Sequence, residues 1–335
     1  MLRLSRNWRK LPMAIAIGIG IASLCAQENP CPITKVHVQV EDTSGDSIQG
    51  LVADNFKASL GKDEVAIQRA EPGHAPSNIV ILQDMSGSMH NNFAARSSLL
   101  LASEIIRQSP PEARFAVMAF ADKTYIDQDF TSDRKLLGDA IQKYTDTRMW
   151  RGSTTIYDAL RISVNHLHHK KIPPENSEII LLTDGIDTGS ESRRENAEAE
   201  LGASGVNIIA VGIDSPDSIN SSASADRQRR DTLDRLARAS GGIAIWLRTG
   251  GPATESHGVR REYKVEKGSS NIHDIAGELI REMSAGYELE IGLPSGFTKP
   301  VSLKLEIIES AGNGKRKLTL LYPEKIYPCR ASSKN

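Results

Sequence analysis

Residues 78–83 and 178–183 are short, almost uninterrupted apolar runs, and between and after them stand longer stretches whose apolar residues recur every three to four positions. Runs this apolar read as strands buried on both faces, whereas the longer stretches at 94–108, 156–169, 191–203 and 229–239 read as amphipathic helices. Their stops are chemically sensible: Pro110-Pro111, Pro173-Pro174, Gly205 and Gly241-Gly242. Parallel strands cannot be joined by tight turns, so this alternation constrains the region to the α/β class. It predicts a doubly wound, mostly parallel sheet with helices on both faces. In such sheets ligands sit beyond the carboxyl ends of the strands, at the point where strand order reverses.

Those strand ends carry oxygen. Asp84-Met85-Ser86-Gly87-Ser88 follows the first run and puts one carboxylate and two hydroxyls in a tight loop. Hard ions such as Mg2+ take oxygen ligands at about 2.0–2.1 Å and retain waters where the protein supplies few charges. Read alone, Asp beside Ser and Gly is also the composition of an ordinary turn. Gly152-Ser153-Thr154-Thr155 opens the helix at 156–169, where Thr154 reads as a hydroxyl ligand or as a cap. The run at 178–183 ends in Asp184-Gly185, a carboxylate at a strand exit.

The order and flanking sequences of these three pieces resemble the von Willebrand factor A (VWA) domain and its metal-ion-dependent adhesion site. By that resemblance Asp84, Ser86, Ser88, Thr154 and Asp184 are the metal-site residues, with Gly-Ser-Thr at 152–154 where many relatives carry Gly-Gly-Thr. The resemblance implies further strands at 114–120, 205–212 and 242–247 and a helix at 133–144, and it covers nearly all of 78–285. It implies a Rossmann-like fold, a bound Mg2+ (Mn2+ or Ca2+ as alternatives), and a protein partner whose Asp or Glu completes the coordination, with no reaction catalysed. It also implies that the final helix, 272–285, responds to binding.

The flanks speak a different grammar. Residues 35–40 alternate with period two, 45–50 form a turn before 51–60, and 287–291, 301–307 and 318–321 alternate again. Two strands alone are marginal, so the N-terminal segment 27–75 is expected to pair with the C-terminal segment 286–330 in one small β-domain. The VWA-like domain, 76–285, would then be inserted in it. Ahead of these, Arg3, Arg6, Arg9 and Lys10 precede an apolar stretch of about a dozen residues, short of the roughly 20 that span a bilayer. Residues 1–26 therefore read as an export signal, placing the protein in the periplasm, on the cell surface or in the medium. An uncleaved anchor and a lipid-modified Cys25 are the alternatives, and the only expected contact with a membrane. Removal of the leader leaves Cys31 and Cys329, candidates for a disulfide in an oxidising compartment, with unpaired thiols as the alternative.

A chain of 335 residues, 39% apolar and with a net charge of −1, supports a large core in one or two domains, and nothing in it is basic enough to point to nucleic acid. His166, His168 and His169 gather at a helix end, but zinc would want a carboxylate or cysteine of suitable spacing, and cations at a helix C-terminus are favourable anyway. His90 reads as an exposed turn residue. Residues 214–230 read as a mobile surface loop, and Arg229-Arg230 and Lys315-Arg316-Lys317 as solvated charges. Two rival functions remain: a structural envelope protein whose metal only stiffens loops, and a Mg2+-dependent phosphatase of the haloacid dehalogenase type. The second wants an Asp proton donor two residues after its nucleophile, where this chain has Ser86.

Overall fold

A computed structural model of the chain describes residues 33–43, 45–90, 92–214, 222–248, 254–257, 260–265, 271–295, 297–308 and 318–328. The leader, Cys25, Cys31, Cys329 and Lys315-Arg316-Lys317 lie outside the described residues.

In chain order the elements are β1 (Ile33–Glu41), β2 (Phe56–Leu60), β3 (Asp63–Val65), β4 (Ile67–Pro72), β5 (Asn78–Asp84), α1 (Asn92–Gln108), β6 (Arg114–Phe120), β7 (Thr124–Thr131), α2 (Arg134–Lys143), α3 (Ile156–His169), β8 (Ser177–Thr183), α4 (Arg194–Ser204), β9 (Asn207–Ile213), α5 (Ala223–Ser240), β10 (Ile243–Arg248), β11 (Thr254–His257), β12 (Arg260–Lys264), α6 (Ile272–Met283), β13 (Tyr287–Gly292), β14 (Val301–Ile307), β15 (Thr319–Leu321) and β16 (Lys325–Ile326). Eight strands form one sheet in the order β11-β12-β10-β9-β8-β5-β6-β7. Neighbouring strands from β12 to β6 are parallel, while β7 and β11 close the two edges antiparallel. From β5 the chain first moves to β6 and later returns to β8 on the other side, so strand order reverses between β5 and β8.

Period-two alternation sorts the central strands between two cores. Ile79, Ile81, Ile180 and Leu182 pack with Leu101 and Ile105 of α1 and Leu279 of α6. Val80, Leu82, Ile179 and Leu181 pack with Leu160 of α3, Leu201 of α4 and Leu236 of α5. Each such side chain contributes roughly 1.5–3 kcal/mol on burial, which is why these strands carry almost nothing polar until their ends.

The flanks pair as two small antiparallel sheets, β15-β1-β13-β4 and β16-β14-β2-β3. Val36, Val38, Phe56, Leu60, Tyr287, Leu289 and Leu303 share the core between them. Tyr287 meets Phe56 edge-on at 5.5 Å and its hydroxyl donates to Ile48 O at 2.8 Å. Helix α6 runs almost directly into β13. Gly286 makes that turn with φ +92°, and a Cβ there would stand 2.4 Å from Val38 O. Arg261 of β12 pairs with both Glu41 of β1 and Glu282 of α6, fastening the last helix to both neighbours.

Three sequence expectations need correction. The stretch 214–230 is not a loop throughout: α5 begins at Ala223, capped by Ser222, whose Oγ accepts from Ala225 N. Arg229 and Arg230 are not solvated but buried, paired with Asp226 and Asp214. Helix α4 starts at Arg194 rather than 191, because the Asp158 carboxylate holds Glu191 N and Ser192 N in the preceding loop.

Candidate metal centre

β5 delivers Asp84 to the carboxyl edge of the sheet with its side chain fully enclosed. Oδ1 accepts from Ser86 N at 2.8 Å, and Oδ2 accepts from Thr183 Oγ1 of the neighbouring strand β8 at 2.6 Å. Met85 and Met89 plug the loop into the core, at 4% and 0% exposure. The hydroxyls between them are brought together: Ser86 Oγ and Ser88 Oγ lie 3.2 Å apart, Ser86 buried and Ser88 exposed. Met85 N donates to Phe120 O and Met85 O accepts from Arg151 N, pinning the loop from both sides.

Asp184 follows β8 and is 2% exposed; its Oδ1 accepts from Ile186 N at 3.3 Å, and the Ser88 hydroxyl bonds to the same carboxylate. Thr154 arrives on the segment whose Gly152 O accepts from Gly87 N at 3.3 Å. Thr154 N donates to Thr188 Oγ1, and Thr154 O accepts from Thr188 N and Gly189 N. Asp122, in the β6–β7 turn, accepts from both Ser153 N (2.7 Å) and Ser153 Oγ (2.6 Å). Gly152, with φ +91°, lets that carboxylate approach, since a Cβ would stand 2.5 Å from Asp122 Oδ2.

The five sequence-predicted residues thus sit on three adjoining loops at the point where strand order reverses. Asp84, Ser86, Ser88 and Asp184 are linked by hydrogen bonds or by charge, and Thr154 joins them through its backbone segment. Burial is the first cause that raises the protonation of Asp84, and the neighbouring Asp184 charge is the second; hydrogen bonds from Ser86 and Thr183 work against both. Burial also raises Asp184, opposed by Ser88, Ile186 N and the Arg229 guanidinium. Two acids that resist ionising side by side, ringed by hydroxyls, form a hard-oxygen donor set suited to Mg2+, Mn2+ or Ca2+. Among the described residues no three His, Cys, Asp or Glu side chains converge as a metal-holding group; the acids here are two, and the other oxygens are hydroxyls.

Sequence reasoning missed three contributors. Thr183 directly precedes Asp184, and its apolar neighbours disguised it as the last residue of a strand. Asp122 braces the Thr154 segment from a turn with no motif. Arg229 reaches Asp184 O with Nη1 at 3.5 Å while lying over Trp246 at 5.7 Å from the ring centroid. The histidines serve other ends: His166 Nε2 meets Asp129 Oδ1 at 3.0 Å and its ring stacks on Phe130, while His90 is exposed after the Asp84–Ser88 loop.

Comparison with known proteins bears on this geometry. Residues 79–186 match the von Willebrand factor type A domain. All five VWA-site candidates fall inside that span. Among curated proteins none matches the chain. Solved structures similar to it include a von Willebrand factor type A protein from Catenulispora acidiphila (12% identity, 90% of this chain and 74% of that one, TM-score 0.46). Another is the manganese-loaded TRAP protein of Plasmodium vivax (13% identity, 76% and 96%, TM-score 0.44). A third is an aerotolerance-related membrane protein from Bacteroides fragilis NCTC 9343 (15% identity, 62% and 98%, TM-score 0.43). No helix among the described residues is long and apolar enough to cross a membrane.

Proposed function

We propose that this chain is an exported binding protein that holds a divalent cation with Asp84, Ser86, Ser88, Thr154 and Asp184 and captures a protein partner through a carboxylate that the partner supplies. The observation that carries the reading is the pair of buried acids, Asp84 and Asp184, ringed by hydroxyls, with Ser88 an exposed residue at their edge. With two carboxylates a divalent ion is neutralised but not over-neutralised, so it keeps electrophilic character and replaceable waters that an incoming acid can displace. The chain's own residues prepare the place: Thr183 and Ser86 N orient Asp84, Ile186 N and Arg229 steady Asp184, and Asp122 holds the segment that bears Thr154. Mg2+ is the expected ion, with Mn2+ or Ca2+ as alternatives.

No residue is given a catalytic role in this reading, and Mg2+-dependent phosphatase turnover by the purified protein would contradict it. Affinity capture from the native envelope fraction, with wild type and Asp184→Ala, each in Mg2+ and in chelator, tests it directly. A partner held by wild type in Mg2+ and lost in the other arms is the expected result. A partner retained by a folded Asp84→Ala protein of lowered melting temperature would instead favour a purely structural ion. The reading extends to α6: through Arg261, Glu41 and Glu282 a shift of that helix would be felt by the flanking sheets. Unchanged partner affinity after locking α6 with an engineered disulfide counts against that extension.

A further inference from the structure

A cavity of about 530 Å3 opens between α6, the start of β12 and the β1–β2 loop. Arg261 is the second residue of β12, which runs parallel to β10, so the cavity stands at the amino-terminal edge of the sheet, opposite the edge that bears Asp84 and Asp184. Its size falls within the range of about 300–1,000 Å3 typical of small-ligand sites. Asp46 of the loop, Arg261 and Tyr263 of β12, and Glu278, Arg281 and Glu282 of α6 are among the side chains that line it. The three helical residues share one face because they stand three and four positions apart.

The charges of this cavity do not balance. Arg261, only 6% exposed, is a single guanidinium clamped between two carboxylates, Glu41 and Glu282. Glu278, bonded by the Tyr263 hydroxyl, and Asp46 add two further acids, while Arg281 adds one exposed guanidinium. Four acids thus stand around two cations, and one of the acids, Glu41, is 2% exposed. An uncompensated charge in such surroundings is costly. The clamp is also short of hydrogen bonds: among the described residues the enclosed atoms Glu282 Oε2 and Arg261 Nε have no partner. Water would supply hydrogen bonds but no charge. The group that completes the cavity carries positive charge and several donors for the acids, together with an oxygen for Arg281. An ammonium on the carbon next to a carbonyl meets all three demands.

We propose that this cavity binds the α-ammonium end of a peptide or a free amino acid. The ammonium donates to Glu278 and to Glu282, whose side chain is 15% exposed and turns its carboxylate outward, and the adjoining oxygen accepts from Arg281. The assignment is independent of the metal reading. Its two sources share one chemistry, which the experiment separates.

Equilibrium dialysis of the full-length protein in EDTA, which takes the candidate metal centre out of play, tests it. The probes are the free protein amino acids, tripeptide amides Xaa-Ala-Ala-NH2 with free N-termini, and both sets N-acetylated. Retention of free-amine probes, at least tenfold weaker after acetylation and on Glu282→Gln and Ser284→Trp proteins, is the expected outcome. Retained tripeptides then name a peptide end, and retained amino acids alone name a free amino acid. Ser284 is exposed at the cavity and takes no part in the Arg261 clamp, so the indole fills the space with the clamp intact. That arm decides if Glu282→Gln fails to fold. Acetylated probes held as tightly as free ones, probes held undiminished by either folded variant, or no probe retained would overturn the proposal.

Discussion

Thr183 Oγ1 donates to Asp84 Oδ2 at 2.6 Å, joining the ends of β8 and β5 across the very gap where strand order reverses. Asp84 has no exposed surface, so this hydroxyl is one of the few groups that keep its carboxylate satisfied. Thr183→Val keeps the shape and removes the donor, at an expected cost of about 1–3 kcal/mol. Thermal unfolding would show a melting temperature lowered by several degrees. Thr183→Ser should recover most of it.

Arg229 is 1% exposed and shares its charge among Asp226, Asp214 and the Asp184 carbonyl. Breaking a buried pair by removing one partner costs about 3–5 kcal/mol because the remaining charges are left uncompensated. Arg229→Met should therefore shift the denaturant midpoint far down. Arg148→Ala, at an exposed guanidinium, should leave the midpoint close to that of wild type.

These arginines show where the sequence could be read and where it could not. Ile79–Leu82 and Ile179–Leu182 declared buried parallel strands because both of their faces are apolar, and the site loops announced themselves because oxygen is unusual directly after such runs. Helix α5 was only half legible: its buried face carries Arg229 and Arg230, whose charges are neutralised by Asp226 of the same helix and by Asp214 and Glu262 from other parts of the chain. A charge paired across such distances looks solvated in one dimension. Strands β11 and β12 were missed for a similar reason, since Arg260-Arg261-Glu262-Tyr263-Lys264 has no apolar alternation and is held by pairing with β10. Strand β14, by contrast, kept a clean period of two because only one of its faces is covered, whereas the second half of β1 is buried on both faces against β12 and α6.

Glu178, on β8, is 5% exposed, and burial pushes its carboxyl up to about 8. The folded state therefore holds a proton that the unfolded chain releases at an ordinary carboxyl value. Stability from this group is intact below the unfolded value and declines as pH rises toward 8. Urea unfolding of wild type and Glu178→Gln across pH 4–9 should show the wild type losing stability relative to the variant through that window. A difference that is flat with pH would contradict the assignment.

Cys31 and Cys329 lie outside the described residues, and the disulfide between them is a proposal that rests on the sequence. Peptide mapping without reductant should recover a Cys31–Cys329 linked pair from exported protein. Reduction should cost on the order of 2–5 kcal/mol.

The most direct measurement is calorimetric titration of the folded, metal-free protein with Mg2+ and Mn2+, alongside Asp84→Asn and Asp184→Asn. The account predicts one ion per chain for wild type and binding weakened at least tenfold in each variant, with all three proteins folded. Wild type that takes up no ion, or variants that bind it as tightly as wild type, would contradict the claim that these oxygens form a cation site.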